Sequence, residues 1–489
     1  MRKSLILLII LLLASGIFLK WSADQLYSLR DQVTIEETTI IGDIAAAEGL
    51  HATLKTTLDN NLFWTTSHTI GSNQEPETEY LFDTGNSSRS YTYRSSNGIE
   101  YALNYDLDHK EIIYDDEGQF TGMAKAYKEL YDATPDGRHG EKEVLLKDYL
   151  DYYPLFASFD ILGKGFDLYQ RYDFASYDDY FSGPVEAKYI FNDYFKIPVL
   201  EEETHTITIS KENTGHTSGW SSGIGGSDNG DFYHPETYSV VTGDTVFFLL
   251  KMRSEVKDVP MDTSCLAEGY GIYSFSFETK VRANQSYAPE YPVVDPYSLH
   301  NAYPLDPLTR IIAFAGSNDV SYLHLLSELD GKYWFTAINA ETMETAAHFE
   351  LSDADSQYPY QCSMQSTEDF TVVFLSGCSE IAVISHGEDG IYKLEFITDY
   401  ADDTRISLHY SDRCIAFDGE RLAMGDTGYS YSSYDYFAGY MLTIITKDGV
   451  QYYGEYKTSL TTGAAYNGSS YHYLVQPVSE VPLVLEWTG

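Results

Sequence analysis

Ile415-Ala416-Phe417-Asp418-Gly419-Glu420-Arg421-Leu422-Ala423 sets two short apolar runs on either side of an Asp-Gly pair. A tight hairpin turn needs positive φ at its centre, and Asp-Gly supplies it at low steric cost. The segment therefore predicts two short antiparallel strands joined by a turn. The same pair recurs between apolar runs at Asp330-Gly331, Asp389-Gly390 and Asp448-Gly449, so that the four stand 59, 29 and 30 residues apart. Two hairpins per unit, in units of about 60 residues, fit that spacing and predict an array of β-meanders.

Working outward, Thr204 to Ser210 alternates apolar and polar residues, and Thr245 to Leu250, Ile272 to Phe277 and Arg310 to Phe314 read as further short strands. Val33 to Ile41 and Leu50 to Ile70 are strand-like as well, and Gly71 to Glu79, with Pro76, reads as a linker. Met123, Ala126, Tyr127, Leu130 and Tyr131 recur at helical spacing before Pro135 and predict one short amphipathic helix. The expected fold class is mainly β, with a single N-terminal transmembrane helix over residues 1–21. A membrane-proximal β segment over 22–79 would follow, then a mainly β domain over 80–489, propeller-like at least from about residue 204. Tandem β-sandwiches are the architectural alternative, because regularly spaced short strands serve both.

Tyr333-Trp334-Phe335-Thr336-Ala337-Ile338-Asn339-Ala340-Glu341-Thr342, followed by His348-Phe349-Glu350-Leu351, resembles a β-propeller blade of the quinoprotein type, with Met343 where that pattern has a glycine. The 415–423 segment is similar to propeller inner strands in general, and together these likenesses cover about the last 180 residues. Ser327 to Trp334 resembles a sialidase-type Asp box: it keeps Gly331 and Trp334 but has Leu329 in place of the aspartate and Tyr333 in place of the threonine. What the resemblance implies is an architecture, since propellers host enzymes, scaffolds and receptors alike.

At the amino terminus, Arg2 and Lys3 precede an uncharged apolar run from Leu5 to Leu19, closed by Lys20 and Trp21. Residues 4–21, about 18 in all, are long enough to cross a hydrocarbon core as a helix, with Lys20 reaching the interface. The basic pair stays cytoplasmic, so the rest of the chain is expected outside the cytoplasm, as a single-pass cell-membrane protein. Cleavage near Ala14-Ser15-Gly16 or Ala23, which would secrete the chain, is the alternative. The balance of 31 basic against 74 acidic residues, a net charge of −43, repels phosphate backbones and argues against nucleic acid as a partner. Cys265, Cys362, Cys378 and Cys414 suit an oxidising compartment and allow three two-bridge pairings, with buried free thiols as the alternative.

No catalytic constellation is legible. Gly219-Trp220-Ser221-Ser222-Gly223 matches the pattern of a hydrolase nucleophile elbow, yet it lies in a Gly/Ser-rich stretch with no helical pattern after the serine. Acidic clusters at 115–117, 228–231 and 353–355 lack EF-hand spacing, and the 13 histidines show no zinc motif, so neither a metal nor a cofactor is expected. The remaining signal is tyrosine, 44 in all, with Tyr429, Tyr431, Tyr434, Tyr436 and Tyr440 clustered among serines. A tyrosine face offers flat apolar area and a hydroxyl at low entropy cost, so these five are the candidate ligand-binding residues, for a carbohydrate or a protein. The functional expectation is an anchored module that binds or senses rather than catalyses. A surface hydrolase of glycans or peptides is the alternative.

Overall fold

The computed structural model describes residues 11–24, 33–58, 62–72, 74–82, 98–101, 122–151, 155–158, 194–195, 199, 201, 204–210, 233–254, 266–281, 290–316, 321–354, 362–375, 380–387, 390–399, 414–427, 437–461, 464–467, 470–473, 476–477 and 483–488. They are mainly β, in antiparallel sheets. The chain forms two compact units: one from Met1–Ser90, Asp369–Gly387 and Lys393–Gly489, the other from Tyr91–Glu368 and Glu388–Tyr392.

In the first unit the two ends of the chain are interleaved. Ile35–Gly42 adds to the outer edge of a meander made by Cys414–Phe417, Leu422–Asp426, Phe437–Thr446 and Gly449–Thr461. Leu50–Leu58, Leu62–Thr69 and Glu77–Phe82 form a second meander, and the C-terminal strand Leu483–Trp487 pairs with its first strand, Leu50 opposite Trp487 and Leu54 opposite Leu483. Residues 22–79 are therefore not a separate membrane-proximal sheet. Their strands need partners from the far end of the chain, and the expected linker over 71–79 runs into the Glu77–Phe82 strand.

Alternation along Leu422–Asp426 sends side chains to both faces of its sheet. Ala423, with Leu442 and Ile444 from the next strand, packs on Leu50, Ala52, Leu54, Leu483 and Leu485. Leu422, Met424 and Ile445 face the other way, onto Phe370, Val372, Phe374, Ile381 and Val383 of the Phe370–Leu375 and Glu380–His386 hairpin. A sheet covered on both faces has little need of polar alternation, which is why Leu422, Ala423 and Met424 follow one another with no polar residue between them.

The second unit holds two four-stranded meanders, Tyr233–Thr242 through Glu290–Pro304 and Arg310–Gly316 through Thr345–Asp353. They share one core, in which Val246, Phe248 and Leu250 meet Leu323, Leu325 and Ile338. The expected helix is present at Gly122–Ala133, and it buries Ala126 and Leu130 against that core, while Lys128 pairs with Asp132 on its outer side.

The turn chemistry behaves as the Asp-Gly pairs predict. Asp330 and Gly331 have φ of 54° and 74° and join Tyr322–Leu329 to Lys332–Asn339, and Gly419 and Gly449 also lie at positive φ in turns of one sheet. Met343 has φ of 56°, so this turn takes the left-handed conformation without glycine, the residue that adopts it most easily. The Asn339 carboxamide holds that turn by accepting from the amides of Glu341 and Thr342. Asp418-Gly419 and Asp448-Gly449 close two hairpins of one sheet, as expected, while successive meanders open at Arg310, Ser363 and Cys414, 53 and 51 residues apart and so somewhat closer than the expected 60.

Residues 11–24 are helical, with Leu12, Ile17, Phe18 and Leu19 exposed. No helix among the described residues is long and apolar enough to cross a membrane. The expected span begins at residue 4, outside the described residues. Cys362 and Cys414 are free thiols, and Cys265 and Cys378 lie outside the described residues. Burial pushes the Cys414 thiol up to about 11, which keeps it protonated and inert.

Candidate functional site

Of the five candidate ligand-binding tyrosines, Tyr429, Tyr431, Tyr434 and Tyr436 lie outside the described residues. Tyr440 is only 1% exposed, so it belongs to the core and not to a tyrosine surface. The cause is local. Tyr440 sits in the Phe437–Thr446 strand directly opposite Tyr456, on the face that meets the Leu50–Thr69 hairpin, and the two rings stack at 4.8 Å and 6°.

A hydrogen-bonded network grows from that pair. The Tyr440 hydroxyl meets His68 Nε2 at 3.0 Å, and His68 faces Ala52, whose small side chain leaves the imidazole room on the neighbouring strand. The Tyr456 hydroxyl is 2.9 Å from that of Tyr452, and Tyr452 donates to Glu37 Oε1 at 3.2 Å. Glu37 also accepts from Thr39, its neighbour in the N-terminal strand. Gly454, between the two tyrosines, makes this possible, because a Cβ there would stand 2.0 Å from the Tyr452 hydroxyl.

Electrostatically the network is a set of neutral groups. Desolvation, aided by His51, lowers the His68 imidazole to about 4, and its Nδ1 is buried with no hydrogen-bonding partner among the described residues. Burial raises the Tyr440 phenol well above its ordinary value and pushes Tyr452 up to about 12. At neutral pH the cluster can relay a hydrogen-bond rearrangement between the sheets and the N-terminal strand, but it carries no charge of its own beyond Glu37.

The described residues also show a part-exposed aromatic pair in the second unit. Trp334 and His348 stack at 4.5 Å and 3°, with His348 Nδ1 bonded to Thr336 Oγ1 at 2.9 Å and Lys332 paired to Glu350 alongside. Trp334 Nε1 donates to the Leu329 carbonyl at 3.3 Å, so within the Asp-box-like segment the tryptophan braces the hairpin that Asp330-Gly331 turns. Tyrosine density along the chain gives no sign of this platform, since it joins two strands through their register, Thr336 opposite His348.

Among the described residues no group of three His, Cys, Asp or Glu side chains is placed to hold a metal ion. The Gly219–Gly223 segment lies outside the described residues, as do the acidic clusters at 115–117 and 228–231. In comparison with known proteins, no family model matches the chain and no curated protein matches it. The class that the structure itself defines is an antiparallel β-meander protein whose N-terminal strands are completed by its C-terminal ones.

Proposed function

We propose that the chain is a membrane-anchored extracytoplasmic protein that binds or senses a ligand through a propeller-like body. The observation that carries the anchor is the 11–24 helix, in which Leu12, Ile17, Phe18 and Leu19 are 63 to 71% exposed. Keeping such side chains in water forgoes about 1.5–3 kcal/mol for each one that could be buried. A bilayer relieves that cost, and the run continues apolar back to Leu5, with Arg2 and Lys3 before it. The strong negative charge of the remainder disfavours contact with anionic headgroups and suits a body held off the membrane.

The propeller reading is supported by two features. Successive meanders share cores face to face within each unit, and the last strand of the chain completes the first meander, which is how circular arrays are closed. A ligand that stacks on aromatic faces, a carbohydrate or a protein loop, fits the Trp334–His348 platform better than the buried Tyr440.

Flotation with neutral phosphatidylcholine vesicles tests the anchor. The full chain should float with lipid and a chain starting at residue 25 should not; equal behaviour of the two would overturn the reading. The second reading, a surface hydrolase, is favoured by one hydroxyl–imidazole contact in the second unit.

A further inference from the structure

His324 is completely buried, yet both its ring nitrogens are satisfied by hydroxyls. Nδ1 is 2.8 Å from Ser366 Oγ and Nε2 is 2.8 Å from the Tyr392 hydroxyl. The sheet register explains how an imidazole fits there. His324 lies opposite Ala315 on one side and Ala337 on the other, so two small residues flank it across the strands. Three rings fix its plane: Tyr392 meets it edge-on at 5.6 Å and 90°, Phe335 is tilted at 5.3 Å, and Tyr322 braces Tyr392 at 5.5 Å. Ser366, at the end of the Ser363–Ser366 strand, is only half-buried and is followed by the exposed Glu368 and Asp369.

We propose that Ser366 is a nucleophile activated by His324, with Tyr392 as the positioning residue, and that it reacts with ester-type acyl electrophiles. The three groups have the arrangement that such chemistry needs: nucleophile on base, base on an orienting group, and a base whose rotamer is locked by packing. The tautomer with hydrogen on Nε2 donates to the Tyr392 oxygen and leaves the Nδ1 lone pair for the Ser366 hydroxyl. As Oγ attacks the acyl carbon, its proton passes to Nδ1 and an Oγ–C bond forms. The bond from that carbon to the leaving alkoxide then breaks, and the alkoxide takes the proton from the imidazolium. Water, deprotonated by the same nitrogen, later frees the serine and releases the acid. This goes beyond the binding role and does not rest on the anchor or on a propeller.

The test is covalent labelling of the full chain with a fluorophosphonate, which forms a P–O bond to an activated serine and releases fluoride, read by peptide mass spectrometry. The expected result is one adduct, on Ser366, whose rate rises with pH as an imidazole loses its proton and falls at least tenfold in Tyr392→Phe. Ser366→Ala should lose the adduct while keeping the circular dichroism spectrum. His324→Gln is the harsher variant, so the pH profile of the unmodified chain serves as the independent readout of the base. Absence of an adduct on Ser366, or a labelling rate with no imidazole-like pH dependence, would overturn the proposal and leave the triad as a packing network.

Discussion

The guanidinium of Arg421 lies 3.9 Å above the ring of Trp487, 66 residues further along the chain. Arg421 also donates to Asp418 through Nε at 2.8 Å and to the carbonyls of Ala46 and Glu48 through Nη1 at 3.1 and 3.2 Å. One side chain thus ties the Asp418-Gly419 turn, the segment before Leu50 and the C-terminal strand together. Lysine lacks the flat fork that serves all three, so Arg421→Lys is not conservative here. Arg421→Lys should lower the unfolding free energy by about 1–2 kcal/mol and Arg421→Ala by more, measured by urea titration of the chain from residue 25.

The joining of the chain ends predicts a cost for trimming either one. Leu485 is buried among Leu50, Ala52 and Leu54, and Leu485→Ala should destabilise by about 2–4 kcal/mol. Removing residues 483–489 strips one strand partner from Leu50–Leu58 and should expose Leu50, Ala52 and Leu54. Limited proteolysis checks this, with faster cleavage near residues 50–82 as the expected outcome.

His68 gives a pH dependence of definite sign. Its folded value, about 4, lies below the ordinary histidine range near 6.5. Above that range both folded and unfolded forms are neutral and the full stability is present. As pH falls from about 6.5 to 4 the unfolded chain binds a proton that the folded chain refuses, so stability falls by about 3 kcal/mol across that window. The difference between the native chain and His68→Phe, followed by urea unfolding from pH 7.5 to 4.5, should shrink steadily as the pH is lowered. A constant difference would contradict the assignment.

Gly454 tests the tyrosine network. A methyl group there would displace the Tyr452 hydroxyl from Tyr456 and Glu37, so Gly454→Ala should cost about 1–3 kcal/mol. Gly331→Ala is the contrasting case. No atom lies within 4 Å of the added carbon, and the expected loss of about 1 kcal/mol comes from its φ of 74° alone. Thermal unfolding of both variants measures the two effects separately.

Much of the β architecture was legible in the residues because hairpins are local. Asp330-Gly331, Asp418-Gly419 and Asp448-Gly449 mark turns that the structure keeps, and the 3.6-residue period between Met123 and Tyr131 marks a true helix. The pairing of Leu50 with Trp487 was not legible, since nothing in either segment names a partner more than 400 residues away. Tyr440 misled for a physical reason: tyrosine serves equally at wet surfaces and in cores that offer its hydroxyl a partner, and here His68 is that partner. Ser366, His324 and Tyr392 come from three strands and carry no motif in common, so only register and packing bring them together.

We propose that residues 4–21 hold the body of the chain on the outer side of a membrane. Protease added to sealed right-side-out membrane vesicles that carry the full chain tests it most directly. The body should be digested without detergent while an N-terminal fragment stays with the vesicles. A body that is protected until detergent is added, or a chain that washes off the vesicles intact, would contradict it.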